Sequence, residues 1–480
     1  MQTSYLFYDL ETSGLSKAFD QVQQFAAKKL DLDLNAKTEH YFEAKLTADI
    51  IPSAYAMITH RVSLAQDHTR LNEYQVVCKI HELMNQPGTI SLGYNTLGFD
   101  DGFLRFSFHR NLLAPYTHQY QGGCMRMDIF PMAVFYYLFA ADSMVWPEVD
   151  GRPTLKLEAL AEVNQWAAGR AHHAMNDVDA TIALARNMQH KNTQMWRYLT
   201  GFFHKATDQQ RINALEEIVV HEEGVKCGLF IDAKLGANQR YNAPCLALGV
   251  SKKYKNASFW LRLDKPLPEE ISAQALFKGH VIQKKYAEPG FILPLNERFS
   301  SKMSLEAKQT MQENIKTIQA NKEIWYALKQ VVQEGVLPNV GQIDPDAQLY
   351  SMGFRSDIER DWCCHWHALN DAEQIQAIKQ LPEGLLKTQA TRLVWRKNSD
   401  IDNDLYQQDK LAALQQLVGD SGPSDYRGEQ KYTAVQAQKD IKELREKSLD
   451  EEQLALLSEL EQLIQKKNQE AGVCSTDSIS

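Results

Sequence analysis

The sequence predicts an α/β protein of three parts: a mixed sheet flanked by helices, then a small β-barrel-like region, then a helical region. Three observations predict it. Residues 1–194 open with strand-like runs and continue with helical ones, the order expected when helices cover a sheet. Residues 195–345 hold short β-patterned runs separated by polar turns. From residue 346 the apolar spacing is helical to the end. A chain of 480 residues is long enough for about three domains.

The chain opens on Tyr5-Leu6-Phe7-Tyr8-Asp9-Leu10-Glu11-Thr12-Ser13-Gly14, an apolar and aromatic strand that breaks at the glycine. Residues 26–32 and 40–44 continue an antiparallel run. Residues 73–84 carry Val76, Val77, Ile80 and Leu83 at helical spacing. A buried strand follows at 89–95, then helices at 100–110, 127–140, 155–166 and 176–190. In the middle region, strands at 244–250 and 257–263 flank the basic turn Lys252-Lys253-Tyr254-Lys255-Asn256, with further β-pattern at 280–283 and 290–294. Helices are expected at 304–318 and 321–334. The last region holds helices at 373–379 and 405–417, and a turn-rich break over 419–428. Ser448 and Glu451 have capping-box spacing where the final two helices meet. Leu456, Leu457, Leu460, Leu463 and Ile464 make one apolar face of the last helix, ahead of a small polar tail from 471 to 480 expected to be disordered.

Composition narrows the function. With 52 basic and 61 acidic residues the net charge is −9, so a basic coat for duplex DNA is excluded while a local basic groove is not. No apolar run reaches membrane-spanning length and no basic leader precedes an apolar stretch, so a soluble cytoplasmic protein is expected. The seven cysteines show no zinc-like spacing, and their odd number fits reduced thiols.

Asp9 and Glu11 lie two apart on a strand and share a face. Two carboxylates side by side repel unless they end in solvent or share a hard divalent cation. Asp100 and Asp101 stand at a strand-to-helix junction, where one acid can cap the helix and the other turn towards a site. His172 and Asp177 bracket the start of a helix, so a loop histidine and a first-turn carboxylate can converge. Asp179 lies about 200° further round that helix and cannot face the same point as Asp177.

This ordered set of Asp9, Glu11, Asp100, His172 and Asp177 resembles the DEDDh exonuclease superfamily over roughly the first 190 residues. The resemblance implies a ribonuclease H-like fold, four acids holding two magnesium ions (manganese being the alternative), and His172 as general base. Two ions would neutralise charge on the entering and leaving oxygens of a phosphodiester. Asp9 would bridge them, Glu11 and Asp177 would complete the coordination, and Asp100 would bind directly or through water. Glu11 would also lie close to the terminal nucleotide.

Within that superfamily, several phrases are similar to the bacterial exodeoxyribonuclease I family: Gly93-Tyr94-Asn95 with Phe99-Asp100-Asp101, Leu155 to Leu160, Asp177 to Ala183, and Asp346-Ala347-Gln348-Leu349-Tyr350. Gln24-Phe25-Ala26-Ala27 fits as well. The implied layout is an exonuclease domain over 1–194, an SH3-like β-barrel domain over 195–345 and a helical domain over 346–480. The implied activity is 3′-to-5′ degradation of single-stranded DNA to 5′-mononucleotides by a monomer acting in DNA repair and recombination. Matching positions place Arg105 and Lys156 on phosphates, and Tyr116 and Tyr120 under bases. Lys156 stands where the family has arginine, which keeps the charge and loses the bidentate fork. The basic strip at 252–255 is either a channel-lining loop or an exposed hairpin turn. The acidic tail of single-stranded DNA-binding protein is the partner the resemblance implies, although Ala140 replaces a basic residue of the pocket that takes it. A compact oligoribonuclease or proofreading subunit would not need the long extension, and an inactive clamp would have lost part of the acid set.

Overall fold

The computed structural model describes residues 3–65, 67–166, 173–253, 255–335, 341–398 and 404–473. His172, Tyr254, Cys474 and the rest of the tail from 475 lie outside the described residues.

The first sheet has the order β3-β2-β1-β4-β5, built from β1 (Ser4–Thr12), β2 (Val22–Leu30), β3 (Ala36–Glu43), β4 (Thr89–Leu92) and β5 (Met125–Arg126). β1 runs antiparallel to β2 and parallel to β4, so the expected mixed sheet is present. Alternation along β1 sorts its side chains onto two cores. Tyr5 and Phe7 pack with α4 (Ile129–Phe139) and α6 (Ala174–Lys191). Leu6, Tyr8 and Leu10 pack with α2 (Glu73–Met84) and α3 (Asp100–Arg110). The pairing of β1 with β4 ends at Phe7 and Leu92, so β1 outruns its neighbour just before Asp9. The carboxyl ends of parallel strands are where such sheets open towards ligands.

The short strand β5 escaped the sequence reading, and so did a helix and a hairpin of this region. A seven-residue helix, α1 (Ala54–His60), follows the sheet's antiparallel half. A small hairpin of β6 (Glu148–Val149) and β7 (Arg152–Pro153) precedes α5 (Leu157–Asn164). After α6, α7 (Thr193–Thr200) carries Trp196 and Leu199 into the same core, and Phe202 and Phe203 follow just beyond it. The first core therefore continues past residue 194.

Behind α8 (Lys205–Asn213) comes a six-stranded antiparallel sheet. Its strands are β8 (Glu217–Val220), β9 (Glu223–Ile231), β10 (Asn242–Val250), β11 (Ala257–Arg262), β12 (Val281–Lys285) and β13 (Phe291–Leu293). The order is β12-β11-β10-β9-β13, with β8 on β9. The four strands read from the sequence are there; β8 and β9 are additional. α9 (Ala273–His280) precedes β12, and α10 (Glu297–Ser300), α11 (Leu305–Ala320) and α12 (Lys322–Glu334) follow. Ile318, Trp325, Leu328 and Val332 cover one sheet face. Leu229, Ile231, Phe291 and Leu293 join the first region's core, so the two sheets share apolar contact.

The last region is helical: α13 (Asp357–Ala368), α14 (Asp371–Lys379), α15 (Leu385–Lys397), α16 (Asp404–Val418), α17 (Ala434–Arg445) and α18 (Glu451–Glu470). It grips the first region twice. Leu112 enters the core of α13 to α16, and Ile51, Ala54, Met57 and Ile58 enter the core of α16 to α18. The cap of α18 is a correction. Asp450 accepts from Gln453 N–H and Gln453 answers, so this pair forms the capping box in place of Ser448 and Glu451. No described helix is long and apolar enough to cross a membrane. The six described cysteines are free thiols.

Candidate active site

Asp9 and Glu11 stand opposite Ala26 and Gln24 of β2, on the β1 face that α6 covers. α6 starts at Ala174, and its first turn brings Asp177 over that face. Ligand oxygens of Asp9, Glu11 and Asp177 all lie within 4.8 Å of one another. Period-2 alternation on the strand and a first-turn position on the helix are sufficient to make them converge.

Asp100 arrives from the other side. Gly93 follows β4 where a Cβ would collide with the Tyr8 carbonyl oxygen and Thr96. Asn95 takes a positive φ of 64°. The loop is then tied down by Asp128, whose carboxylate accepts from Asn95 N–H at 2.8 Å, Leu97 N–H at 3.0 Å and Phe130 N–H at 3.0 Å. Burial nevertheless pushes the Asp128 carboxyl up to about 7. Asp100 opens α3 and is buried. Burial, then Asp128 and Glu11, hold its carboxyl well above the usual range, with Lys17 pulling the other way. Burial, then Asp100, Glu11 and Asp177, do the same to Asp9. Asp9 and Asp100 thus feel each other's field even though Asp100 is outside the tight cluster of three.

Asp101 has a different role. Burial would raise its carboxyl, but Arg105 at 2.5 Å, Arg126 at 2.6 Å and His118 at 3.0 Å hold it well below the usual range. Asp179 pairs with Lys28 at 2.6 Å, away from Asp177, as the helix angle requires. His172 lies outside the described residues. His173 caps α6 and stacks on Tyr41 with ring centroids 5.8 Å apart.

The expected substrate contacts divide. Lys156 is exposed before α5, 3.9 Å from Glu158. Tyr120 is exposed and Tyr116 half-buried. Arg105 is largely enclosed: its guanidinium is bound by Asp101, donates to the Tyr350 hydroxyl at 3.4 Å and lies 5.7 Å from the Tyr116 ring centroid. Its charge is neutralised inside the protein. Sequence reasoning missed His60, which ends α1 and sets its Nδ1 against the Glu11 carboxylate. The only signal was a histidine closing the short apolar run from Ala54 to Ile58.

Three acids with oxygens this close, with Asp100 beside them, are a donor set for hard divalent cations. All-oxygen ligation of this kind disfavours zinc-type structural sites.

Residues 6–185 match the Exonuclease family model. The chain carries an exonuclease domain. Asp9, Glu11, Asp100 and Asp177 all fall inside it. Exodeoxyribonuclease I of Escherichia coli K12 is 32% identical over 232 residues, which is 47% of this chain and 48% of that one. The chain spans about half the length of the curated relatives it matches. Solved structures extend the likeness in shape. E. coli exonuclease I in complex with a dA16 oligonucleotide superposes with a TM-score of 0.81 at 21% identity, covering 97% of this chain and all of that one. An ExoI/SSB-Ct complex gives 0.83 at 21% identity with the same coverage. The three regions together have the exonuclease I fold.

Proposed function

We propose that this chain is a divalent-metal-dependent 3′-to-5′ exonuclease that degrades single-stranded DNA to 5′-mononucleotides. The observation that carries the reading is the convergence of Asp9, Glu11 and Asp177 within 4.8 Å, with Asp100 beside them, inside an exonuclease domain. Similar proteins are named exodeoxyribonuclease I, and one similar structure holds a dA16 oligonucleotide.

Asp9, Glu11 and Asp177 would hold two Mg²⁺ ions, or Mn²⁺ in their place, with Asp100 as a fourth ligand. Bound there, the ions would neutralise charge on the attacking and leaving oxygens of the phosphodiester. The chain's own residues do the rest. β1 and α6 orient the acids before substrate arrives, so no reorganisation is needed at the moment of reaction. His172 takes the proton from the attacking water, a task suited to an imidazole near neutral pH. His60 orients the Glu11 carboxylate next to the terminal nucleotide. Tyr116 and Tyr120 stack bases without reading sequence, and Lys156 holds a phosphate. Arg105 acts through its neighbours, bracing Tyr116 and Tyr350. The SH3-like and helical regions close a channel over the strand.

By resemblance, the acidic tail of single-stranded DNA-binding protein is a partner, the enzyme works as a monomer, and its setting is DNA repair in the cytoplasm. An oligoribonuclease is the competing reading, and substrate choice separates the two. With Mg²⁺ present, 5′-labelled single-stranded DNA is expected to shorten stepwise while 3′-labelled DNA releases its label at once. RNA and duplex are expected to persist. Preference for RNA, or release from the 5′ end, would sink the assignment. Chelation by EDTA should stop cleavage and added Mg²⁺ restore it. Asp9→Ala should lose more than ~100-fold in rate while still binding the strand, since even outer-shell partners of a metal ligand are worth 10–100-fold. Undiminished cleavage would remove Asp9 from the site.

A further inference from the structure

The seam between the exonuclease domain and the helical region carries two cations outside the cluster of Asp9, Glu11 and Asp177. Lys17 lies on the loop after β1. That loop is fixed by Asp20, which accepts from Ser13 Oγ at 2.9 Å and from Ser16 N–H at 2.8 Å. The Lys17 ammonium donates to the Gly98 carbonyl at 2.8 Å and sits 5.5 Å from the Phe99 ring centroid. Its stem lies on Gly102 of α3, where a Cβ would come within 3.1 Å of Lys17 Cδ. One turn further along the same face, Phe106 stacks on Tyr426 with centroids 5.6 Å apart, and the Arg427 guanidinium lies 5.2 Å from the Tyr426 ring centroid. Ala18, Phe19, Phe106, Ala347 and Leu349 form one apolar cluster with Tyr426 packed against it. The two loops are therefore locked together by packing, with Lys17 on one bank and Arg427 on the other.

We propose that Lys17 and Arg427 form a phosphate-gripping subsite across this seam, which takes a backbone phosphate of the single strand a short way 5′ of the bond to be cut. The proposal rests on the exonuclease reading above. Charge accounting favours it. Apart from Asp100, whose field reaches Lys17, the neighbouring acids are already matched: Asp101 with Arg105 and Arg126, and Asp344, Asp346 and Asp49 with Arg392, Arg396 and Lys431. Among the described residues neither Lys17 nor Arg427 makes a salt bridge. In a chain of net charge −9, two such cations held together by packing favour a polyanion. The rim beside them is aromatic. Phe354 is 87% exposed and stands edge-on to Tyr116, centroids 5.9 Å apart, a surface on which bases can stack. A strand gripped here touches both regions at once, and this couples the helical region to the site without any residue of it reaching the metals.

The test is binding of a labelled oligothymidylate of about 20 nucleotides, longer than one binding channel, in EDTA across a salt series. Lys17→Gln and Arg427→Gln should each weaken affinity by about fivefold or more, as for the loss of a charge-assisted hydrogen bond. The double variant should lower the slope of log affinity against log salt by about 0.7, one phosphate on a single strand. Lys17→Arg should restore affinity to within about twofold, which a merely structural role of the lysine stem would not predict. A double variant with wild-type affinity and slope overturns the subsite. A slope change in the double variant, together with wild-type protein that never shortens the strand in Mg²⁺, supports the subsite and overturns the exonuclease reading instead.

Discussion

Asp177 and Asp179 are the same residue type two positions apart on one helix, and they do opposite things. Asp177 faces β1 and joins Asp9 and Glu11. Asp179, about 200° round the helix, reaches Lys28 and leaves 47% of its side chain exposed. A carboxylate crowded by two others gains from a cation, whereas an exposed ion pair is worth roughly 0–1 kcal/mol. Asp177→Asn is therefore expected to lose more than ~100-fold in cleavage rate, while Asp179→Asn keeps its rate within about twofold and its stability within about 1 kcal/mol. Initial rates on single-stranded DNA and urea midpoints measure both. Equal losses at the two positions would mean that α6 presents a different face to the sheet. His60 illustrates the other kind of residue-scale fact. Its partner Glu11 is distant in sequence, and nothing at either position announces the pair.

The element that sets the geometry is the junction of β1 with the loop between β4 and α3. β4 stops short of Asp9, and the chain must turn across the top of β1 to deliver Asp100. Gly93 permits that crossing because its missing Cβ leaves room for the Tyr8 carbonyl, the peptide immediately before Asp9. The obstacle is backbone, so a larger residue must push β1 or the loop aside. Gly93→Ala should cost about 1–3 kcal/mol and slow cleavage, read by the urea midpoint and by rate at saturating DNA. A variant with wild-type midpoint and rate would show that the junction is slack. Much of this junction was legible from local rules. Strand alternation paired Asp9 with Glu11, the helix angle separated Asp177 from Asp179, and the helices read at 73–84 and 100–110 start and end at those residues. What failed was non-local or faint. α1 is only seven residues long, too short for its periodicity to stand out. α13 carries a readable Ser356–Glu359 capping box, but Cys363, Cys364 and two histidines blur its apolar stripe. At α18 two capping signatures compete two residues apart, and Asp450 wins over Ser448. Asp49 and Arg396 are 347 residues apart, and their pairing is a property of the packed molecule alone.

At the scale of the whole molecule, acid should open the seam that joins the helical region to the exonuclease domain. His109 of α3 is buried there, and the Gln389 amide of α15 donates to its Nε2 at 2.9 Å, which requires an unprotonated nitrogen. Burial, with Arg355 nearby, holds His109 down at about 4. Burial likewise holds His81 at about 4. Unfolded, both would titrate near the ordinary 6.5. Between those values these two sites bind more protons in the unfolded chain than in the folded one, so their contribution to stability rises with pH there and falls as pH drops from 6.5 towards 4. His109 alone accounts for up to about 3 kcal/mol of that fall. The carboxylates of the seam behave differently. Burial would raise Asp49 and Asp346, but Arg396 with Lys431 and Arg396 with Arg392, respectively, hold them below the usual range. Their contribution is intact above the ordinary carboxylate value and is lost only as pH falls below it. These groups alone would hold the urea midpoint level from pH 8 to about 7, lower it through pH 5 and lower it again below about 4, while Asp128, raised to about 7, and the raised Asp9 and Asp100 work the other way by binding protons more tightly in the folded state. His109→Gln should make the first decline shallower and leave the second in place. A wild-type-minus-variant difference in midpoint that stays constant between pH 6.5 and 4.5 would show that His109 does not resist protonation. Because Gln389 reaches His109 from the helical side, that loss falls on a contact between the helical region and α3, the helix whose Phe106 carries Tyr350 and Tyr426. A strand bridging Lys17 and Arg427 should therefore loosen in the same pH range, ahead of any loss in the acidic centre's own packing.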